Sequence, residues 1–191
     1  MNWRHCTRGA LLVISLALGA CATHPSLLPP QTADTLQRWA MEGKLGVTLP
    51  DDRVNAYLSW QQDQDHFLIK LSGLFGQGST EIEGSEDHIA LTRGQQTLQG
   101  ASAEEIMLRE LGWSVPVEHF AYWAKGVPSP LVPVDAITRD ELGAITKISQ
   151  AGWQVELSRY QAVASWQLPS RLVAKTDTIS LLLVVKDWQL Q

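Results

Sequence analysis

The chain has 191 residues, 45% of them hydrophobic, with 15 basic and 20 acidic residues, a formal net charge of −5 and two cysteines. That length fits one domain able to bury a core without metal or disulfide staples. The acidic balance argues against a nucleic-acid binder, which needs cations to neutralise phosphates, and against a polybasic anchor on anionic lipid.

The first element is a secretory signal. Arg4 and Arg8 precede an uncharged run from Gly9 to Ala20, and the small residues Gly19 and Ala20 stand just before Cys21. The run is well short of the roughly 20 residues that a membrane-crossing helix needs. Leu18-Gly-Ala-Cys21 resembles a lipobox, where bacterial signal peptidase cuts before a cysteine whose sulfur carries diacylglycerol. Loss of residues 1–20 leaves 171 residues with 13 basic and 20 acidic side chains, a formal charge of −7, and Cys21 as the sole cysteine, because Cys6 leaves with the signal. No internal disulfide is then possible, and a lone N-terminal cysteine in an oxidising compartment makes sense once it is acylated. The expected modification is S-diacylglycerol with N-palmitoyl on Cys21, and no other cofactor is expected. Ala22 stands where an aspartate would favour the inner membrane in enterobacterial lipoproteins, so the likeness implies the outer membrane, with the domain facing the periplasm. Residues 21–31, with Pro25, Pro29 and Pro30, read as an extended tether. Residues 32–191 then form a single domain.

Thr32 to Met41 places Leu36, Trp39 and Ala40 at helical spacing, so a helix is predicted there. From Arg53, the apolar residues Val54, Ala56, Leu58 and Trp60 alternate with more polar ones, the period of a strand with one buried face. Phe67, Ile69 and Leu71 continue the alternation, followed by Ile82 and then Ile89 and Leu91, with polar or glycine-containing breaks between them. These read as antiparallel hairpins in series.

Ser102-Ala-Glu-Glu105 is a capping box that opens a helix through Met107, Leu108 and Leu111, closed by Gly112. Pro116 suits a first helical turn, Phe120, Trp123 and Ala124 lie on adjoining turns, and Gly126 supplies a C-terminal cap. Strand periodicity resumes with Trp153, Val155 and Leu157, then Leu172 and Ala174. The run from Ile179 to Val185 is apolar on nearly both faces, which predicts cover on both sides. The fold class is therefore α+β: a curved antiparallel sheet, an open half-barrel of roughly ten or eleven strands, with about three helices packed in its concave face around a hydrophobic cavity. The predicted lining is Leu58, Trp60, Phe67, Ile69 and Leu71 from strands and Met107, Leu111, Phe120 and Trp123 from helices. Seven of the eight tryptophans follow Cys21 and serve mainly as bulky core, with a share available to line the cavity.

Catalytic and metal chemistry find little support. His66, His88 and His119 show no His-x-x-x-His spacing, and no thiol is left to bind zinc. No Gly-x-Ser-x-Gly elbow or Gly-x-x-x-x-Gly-Lys loop occurs. Asp51-Asp52 and the acidic residues from Glu83 to Asp87 sit where strands end and mark turns. The chain reads as a non-enzyme and a monomer, without nucleic-acid or metal partners.

Several segments together resemble one family: the lipobox cysteine, Trp39 with Gly43-Lys-Leu-Gly-Val47, Ser59-Trp-Gln61, Leu71-Ser-Gly-Leu-Phe-Gly-Gln-Gly-Ser79, Leu111-Gly-Trp-Ser-Val-Pro116, Tyr122-Trp-Ala-Lys-Gly126, Gly152-Trp153 and Leu168-Pro-Ser-Arg171. In order and spacing they look like the LolB family of outer-membrane lipoprotein receptors. The resemblance implies a curved sheet around helices whose cavity takes the acyl chains of lipoproteins from the periplasmic carrier LolA and delivers them to the inner leaflet of the outer membrane, without nucleotide. It also implies a protruding membrane-transfer loop, matched here by Gly73-Leu-Phe-Gly76 with Leu74 and Phe75 at its tip. The alternatives are a binding module for another apolar ligand, such as a free lipid or glycolipid, and a structural lipoprotein with a filled interior.

Overall fold

The computed structural model describes residues 33–73, 78–85 and 88–190. The signal (1–20), Cys21, the tether (21–31) and the loop residues Leu74 and Phe75 lie outside the described residues. A 3-10 turn at Ala33–Thr35 leads into β1 (Arg38–Thr48), β2 (Arg53–Asp63), β3 (His66–Ser72), β4 (Thr80–Ser85), β5 (His88–Arg93) and β6 (Gln96–Gly100). Two helices follow, α1 (Ala103–Leu111) and α2 (Val117–Trp123). The second run of strands is β7 (Val134–Arg139), β8 (Ile145–Gln150), β9 (Trp153–Val163), β10 (Trp166–Lys175) and β11 (Ser180–Leu190).

All eleven strands form one antiparallel sheet in the order β6-β5-β4-β3-β2-β1-β11-β10-β9-β8-β7. Each half is a meander of hairpins, and the two halves join where β1 pairs with β11 at the centre. The edges β6 and β7 are not paired with each other, so the sheet is open. The helices connect these two edges across one face. Alternation decides which side chains point at them: Trp39, Met41, Leu45 and Val47 of β1 are buried between exposed or half-buried neighbours, and Leu58, Trp60, Ile69 and Leu71 repeat the pattern on β2 and β3.

The helix predicted over Thr32–Met41 is not formed. Leu36, Trp39 and Ala40 fit a helical spacing, but the inward alternation of Trp39, Met41, Leu45 and Val47 has period two and runs further. A strand here is paired on both sides, by β2 and β11, so the local helical preference is outweighed. Two α-helices are thus present among the described residues where about three were predicted. The expectation that both faces of Ile179–Val185 would be covered is also corrected. Leu181, Leu183 and Val185 are buried under the helices' side of the sheet, whereas Leu182 on the other face is 38% exposed. An apolar side chain on an uncovered face is screened only sideways, by strand neighbours such as Val173.

Local chemistry sets the helix ends as the sequence predicts. Ser102 Oγ accepts from the Glu105 backbone N–H at 3.1 Å, and Glu105 Oε2 accepts from the Ala101 N–H at 3.3 Å. Gly126, at φ +85°, reverses the chain after α2. Its N–H donates to Trp123 O at 2.9 Å and the Val127 N–H donates to Tyr122 O at 3.3 Å, the paired bonds of a Schellman cap.

At the centre, the register of β1 against β11 shifts between Glu42 and Gly43, and a Cβ on Gly43 would collide with the backbone carbonyl oxygen of Val184. Gly43→Ala is expected to destabilise the fold by about 1–3 kcal/mol, because backbone rather than a flexible side chain must give way. Gly46→Ala, with only ordinary contacts to meet, is the control. Denaturant unfolding midpoints for the pair check this, and equal midpoints would show that the β1–β11 contact is looser than described.

Candidate functional site

Helix α2 separates two compartments on the inner face. The first is an apolar void of about 40 Å³, walled by Leu45, Leu58, Trp60, Ile69, Leu71, Ile82, Met107, Trp113, Val115, Val117, Phe120, Leu181 and Leu183. Its volume is room for no more than a few waters, and with apolar walls it stays dry. Of the predicted lining, Leu58, Trp60, Ile69, Leu71, Met107 and Phe120 meet here. Phe67 instead lines the second compartment, and Leu111 is half-buried against the core. Trp123 is fully buried elsewhere: its ring packs on Phe120 at 5.3 Å and Trp153 at 6.2 Å.

Sequence reasoning overlooked Leu45, Ile82, Trp113, Val115, Val117, Leu181 and Leu183 as wall residues. Two signals were available. Trp113, Val115 and Val117 alternate through the linker between the helices and into the first residue of α2, the pattern of an extended segment with one buried face, and the inward residues of β11 sit opposite those of β1 once the central pairing is known.

The second compartment is an open groove of about 680 Å³ at the end of the sheet where β1 begins and β2 turns into β3. Gln37, Gln62, Gln64, Ser102, Asp34, Asp65, Glu104 and Glu118 give it a polar rim, and Val117 belongs to both compartments. Along α2, Val117, Glu118, Ala121, Tyr122 and, just beyond the helix, Lys125 face this groove at helical spacing, whereas Val117 and Phe120 face the apolar void.

Two buried polar groups hold the far end of α2. Gln150, wholly buried on β8, accepts from Trp123 Nε1 at 2.9 Å and from the Ser129 N–H at 3.0 Å, and donates to Ser129 O at 2.7 Å and Val132 O at 2.9 Å. Its amide is therefore fully used. Lys125, 5% exposed, donates through Nζ to Leu36 O at 2.8 Å and lies 4.8 Å from the centre of the Tyr122 ring. Burial pushes its pKa down to about 8, against a smaller upward pull from Asp34. The other end of α2 is held less firmly. Pro116 provides no side-chain cap, and Glu104 Oε1 accepts the Val117 N–H at 2.9 Å.

His66 and His88 are exposed on strands, and His119 Nδ1 lies 3.0 Å from Ser129 Oγ. No group of three metal-ligating side chains occurs among the described residues, and none of the described helices is long and apolar enough to cross a membrane.

The family model described as outer membrane lipoprotein LolB matches residues 37–188. A curated relative from Cellvibrio japonicus named outer-membrane lipoprotein LolB is 32% identical, covering 94% of each chain. A relative of the same name from Pseudomonas aeruginosa is 34% identical over 83% of this chain and 78% of its own. Among solved structures, a LolA-superfamily protein from Nitrosomonas europaea superposes with a TM-score of 0.52 over 82% of this chain and 87% of that one, at 6% identity. A DUF1329-family protein from Desulfovibrio piger gives the same score at 4% identity, over 83% and 88%. Such structural likeness speaks for the fold alone.

The buried lysine has a measurable consequence. Between pH 8 and about 10 the folded chain has released the Lys125 proton while the unfolded chain, with its lysine near 10.5, still holds it, so stability rises with pH across that window. Above it Tyr160, pushed up to about 12 chiefly by burial, works the other way because the folded state keeps the phenolic proton longer. Denaturant unfolding at pH steps from 8 to 10 should show the rise, and Lys125→Met should flatten it. An unchanged slope in the variant would assign the rise to another group.

Proposed function

We infer the function of this chain from the premise that it belongs to the LolB family of outer-membrane lipoproteins. Its place is the outer membrane, and its role lies in lipoprotein localisation. We propose that it accepts lipoproteins from the periplasmic carrier LolA, holds their acyl chains in the apolar void between sheet and α2, and inserts them into the outer membrane. The observation that carries this reading is the void's wall, which offers side chains of Leu, Ile, Val, Met, Phe and Trp alone.

Each buried methylene is worth about 0.8 kcal/mol, so an acyl chain costs on the order of 10 kcal/mol to place in water. Passage between two apolar cavities exchanges like for like and requires no nucleotide. At about 40 Å³ the void is too small for such a chain, so uptake on this reading moves the lid. The far end of α2 is pinned by Gln150 and Lys125, which leaves the corner from Trp113 to Val117 as the part to swing outward.

In this reading Cys21 carries the lipid anchor, and Leu74 and Phe75 form the tip that meets the bilayer during release. Geometry permits both to reach one membrane. Ser72, at the root of the loop, is level in register with Tyr57 and through it with Lys44, about 20 Å along β1 from Arg38 at ~3.4 Å per residue. The tether from Cys21 to Ala33 extends up to about 40 Å.

Every described strand and helix lies after residue 32, so the chain from residue 21 with Cys21→Ala keeps the whole described core. Mixed with LolA carrying a labelled lipoprotein, it should take up the label. Val115→Trp, which fills the void at a cost of roughly 1–3 kcal/mol, should remain folded and accept little. A folded parent that takes no lipoprotein, or a filled variant that accepts at the parent's rate, would remove the cavity from the mechanism. The paired change Leu74→Glu and Phe75→Glu should leave uptake intact and block transfer into liposomes. Release at the parent's rate would deny the loop that part, and loss of folding would assign both side chains to the core.

A further inference from the structure

A lipidated polypeptide is an amphiphile, and the apolar void accounts for only one part of it. The cysteine that bears the chains also carries ester and amide carbonyls, and a polar peptide continues from it. Whatever holds the chains must therefore meet a polar segment at its mouth. The open groove adjoins the void across α2 and shares the wall residue Val117 with it.

We propose that this groove is a second binding site, which receives the carbonyl-rich junction and the first peptide residues of a bound lipoprotein, with Lys125 donating to the junction and Asp65 and Glu118 selecting basic over acidic peptide residues. The inference rests on the proposed function and extends it from the chains to the peptide that follows them. Three observations carry it. The groove is far larger than the void, about 680 Å³ against about 40 Å³, so the two compartments match a bulky polar part and a chain site that opens on demand. Lys125 is buried in its lining, yet an ammonium has three N–H donors, and a single hydrogen-bond acceptor, Leu36 O, reaches it among the described residues. A carbonyl oxygen is the ligand that such a donor takes without bringing in a second charge. Finally, the lining holds four carboxylates, Asp34, Asp65, Glu104 and Glu118, against the one cation.

These carboxylates are not equivalent. Glu104 is engaged by the Val117 N–H and Asp34 by the Thr35 N–H, whereas Asp65 and Glu118 are exposed and make no hydrogen bond or ion pair with other described residues. They line the groove from different elements, Asp65 at the β2–β3 turn and Glu118 on α2. A peptide leaving the junction passes between them, and its charge is read at that gate.

The test uses the chain from residue 21 with Cys21→Ala and two synthetic triacylated cysteine peptides, one continued by four lysines and one by four glutamates. The neutral dye N-phenyl-1-naphthylamine, which has no charge for the carboxylates to select, is the probe for the apolar void. The lysine peptide should bind at least about five-fold more tightly than the glutamate peptide at low ionic strength, and the preference should shrink as salt is added. The paired change Asp65→Lys and Glu118→Lys should invert the preference while dye binding holds. Lys125→Met should weaken both peptides alike, and by more than it weakens the dye. Equal affinity for the two peptides in parent and charge-reversed chains, with normal dye binding, would overturn the groove proposal and leave the cavity reading standing. Failure of dye and both peptides to bind a folded chain would instead remove the cavity reading and this one with it.

Discussion

The two edges of the sheet are consecutive in sequence: β6 is the last strand of the first meander and β7 the first of the second, yet they occupy opposite ends of an eleven-strand order. The connection between them has to cross the whole inner face. At about 4.8 Å per strand the edges lie nearly 50 Å apart along the sheet. The helical part of the crossing, nine residues in α1 and seven in α2, rises only about 24 Å at 1.5 Å per residue. Two short helices therefore cannot cover the concave face as a second complete layer would. The apolar void and the open groove are both products of that mismatch, one where apolar side chains nearly fill the gap and one where the cover stops short.

How such a cover stays in place follows from where its polar contacts sit. Aromatic packing of Phe120 and Trp123 on Trp153 holds the helix to the sheet, but apolar surfaces slide more readily than hydrogen bonds do. Gln150 and Lys125 fix one end, because separating them from Trp123, Ser129 and Leu36 leaves buried donors and acceptors unpaired at about 1–3 kcal/mol each. The opposite end, at Pro116, is held mainly by Glu104 and by side-chain packing. An arrangement pinned at one end and packed at the other has a built-in direction of opening.

Much of this was legible in the sequence because period two survives wherever one face of a strand is buried. Leu58 and Trp60 on β2, Ile69 and Leu71 on β3 and Trp153 to Leu157 on β9 announce both their strands and their inward face. The cap signals at Ser102, Gly112 and Gly126 are local, and local chemistry needs no tertiary knowledge. What failed was non-local. Residues 38 to 41 are a strand because β2 and β11 flank them, which no window of ten residues contains. Strand β7 is exposed throughout, so it has no hydrophobic period to read. The groove was invisible for the same reason: Gln37, Gln62, Asp65, Glu118 and Lys125 come from three separate stretches of chain and are ordinary surface types one by one.

Lys125 shows what the polar compartment adds to the energetics. A buried ammonium is costly, and the depressed pKa records that cost. A methionine of similar length would fill the site more cheaply if packing were all that mattered. The lysine's single hydrogen bond to Leu36 O joins the start of β1, where the chain arrives from its N-terminal stretch, to the end of α2. On the proposed function that bond lies between the anchored end of the protein and the lid over the void. A carbonyl ligand in the groove would offer the ammonium a second acceptor and offset part of its desolvation, so occupancy of the polar compartment and firmness of the lid's pinned end would strengthen together. The acyl chains would then be held by a wall whose fixed edge is steadied by the polar part of the same molecule, and leaving the void would require both parts to let go.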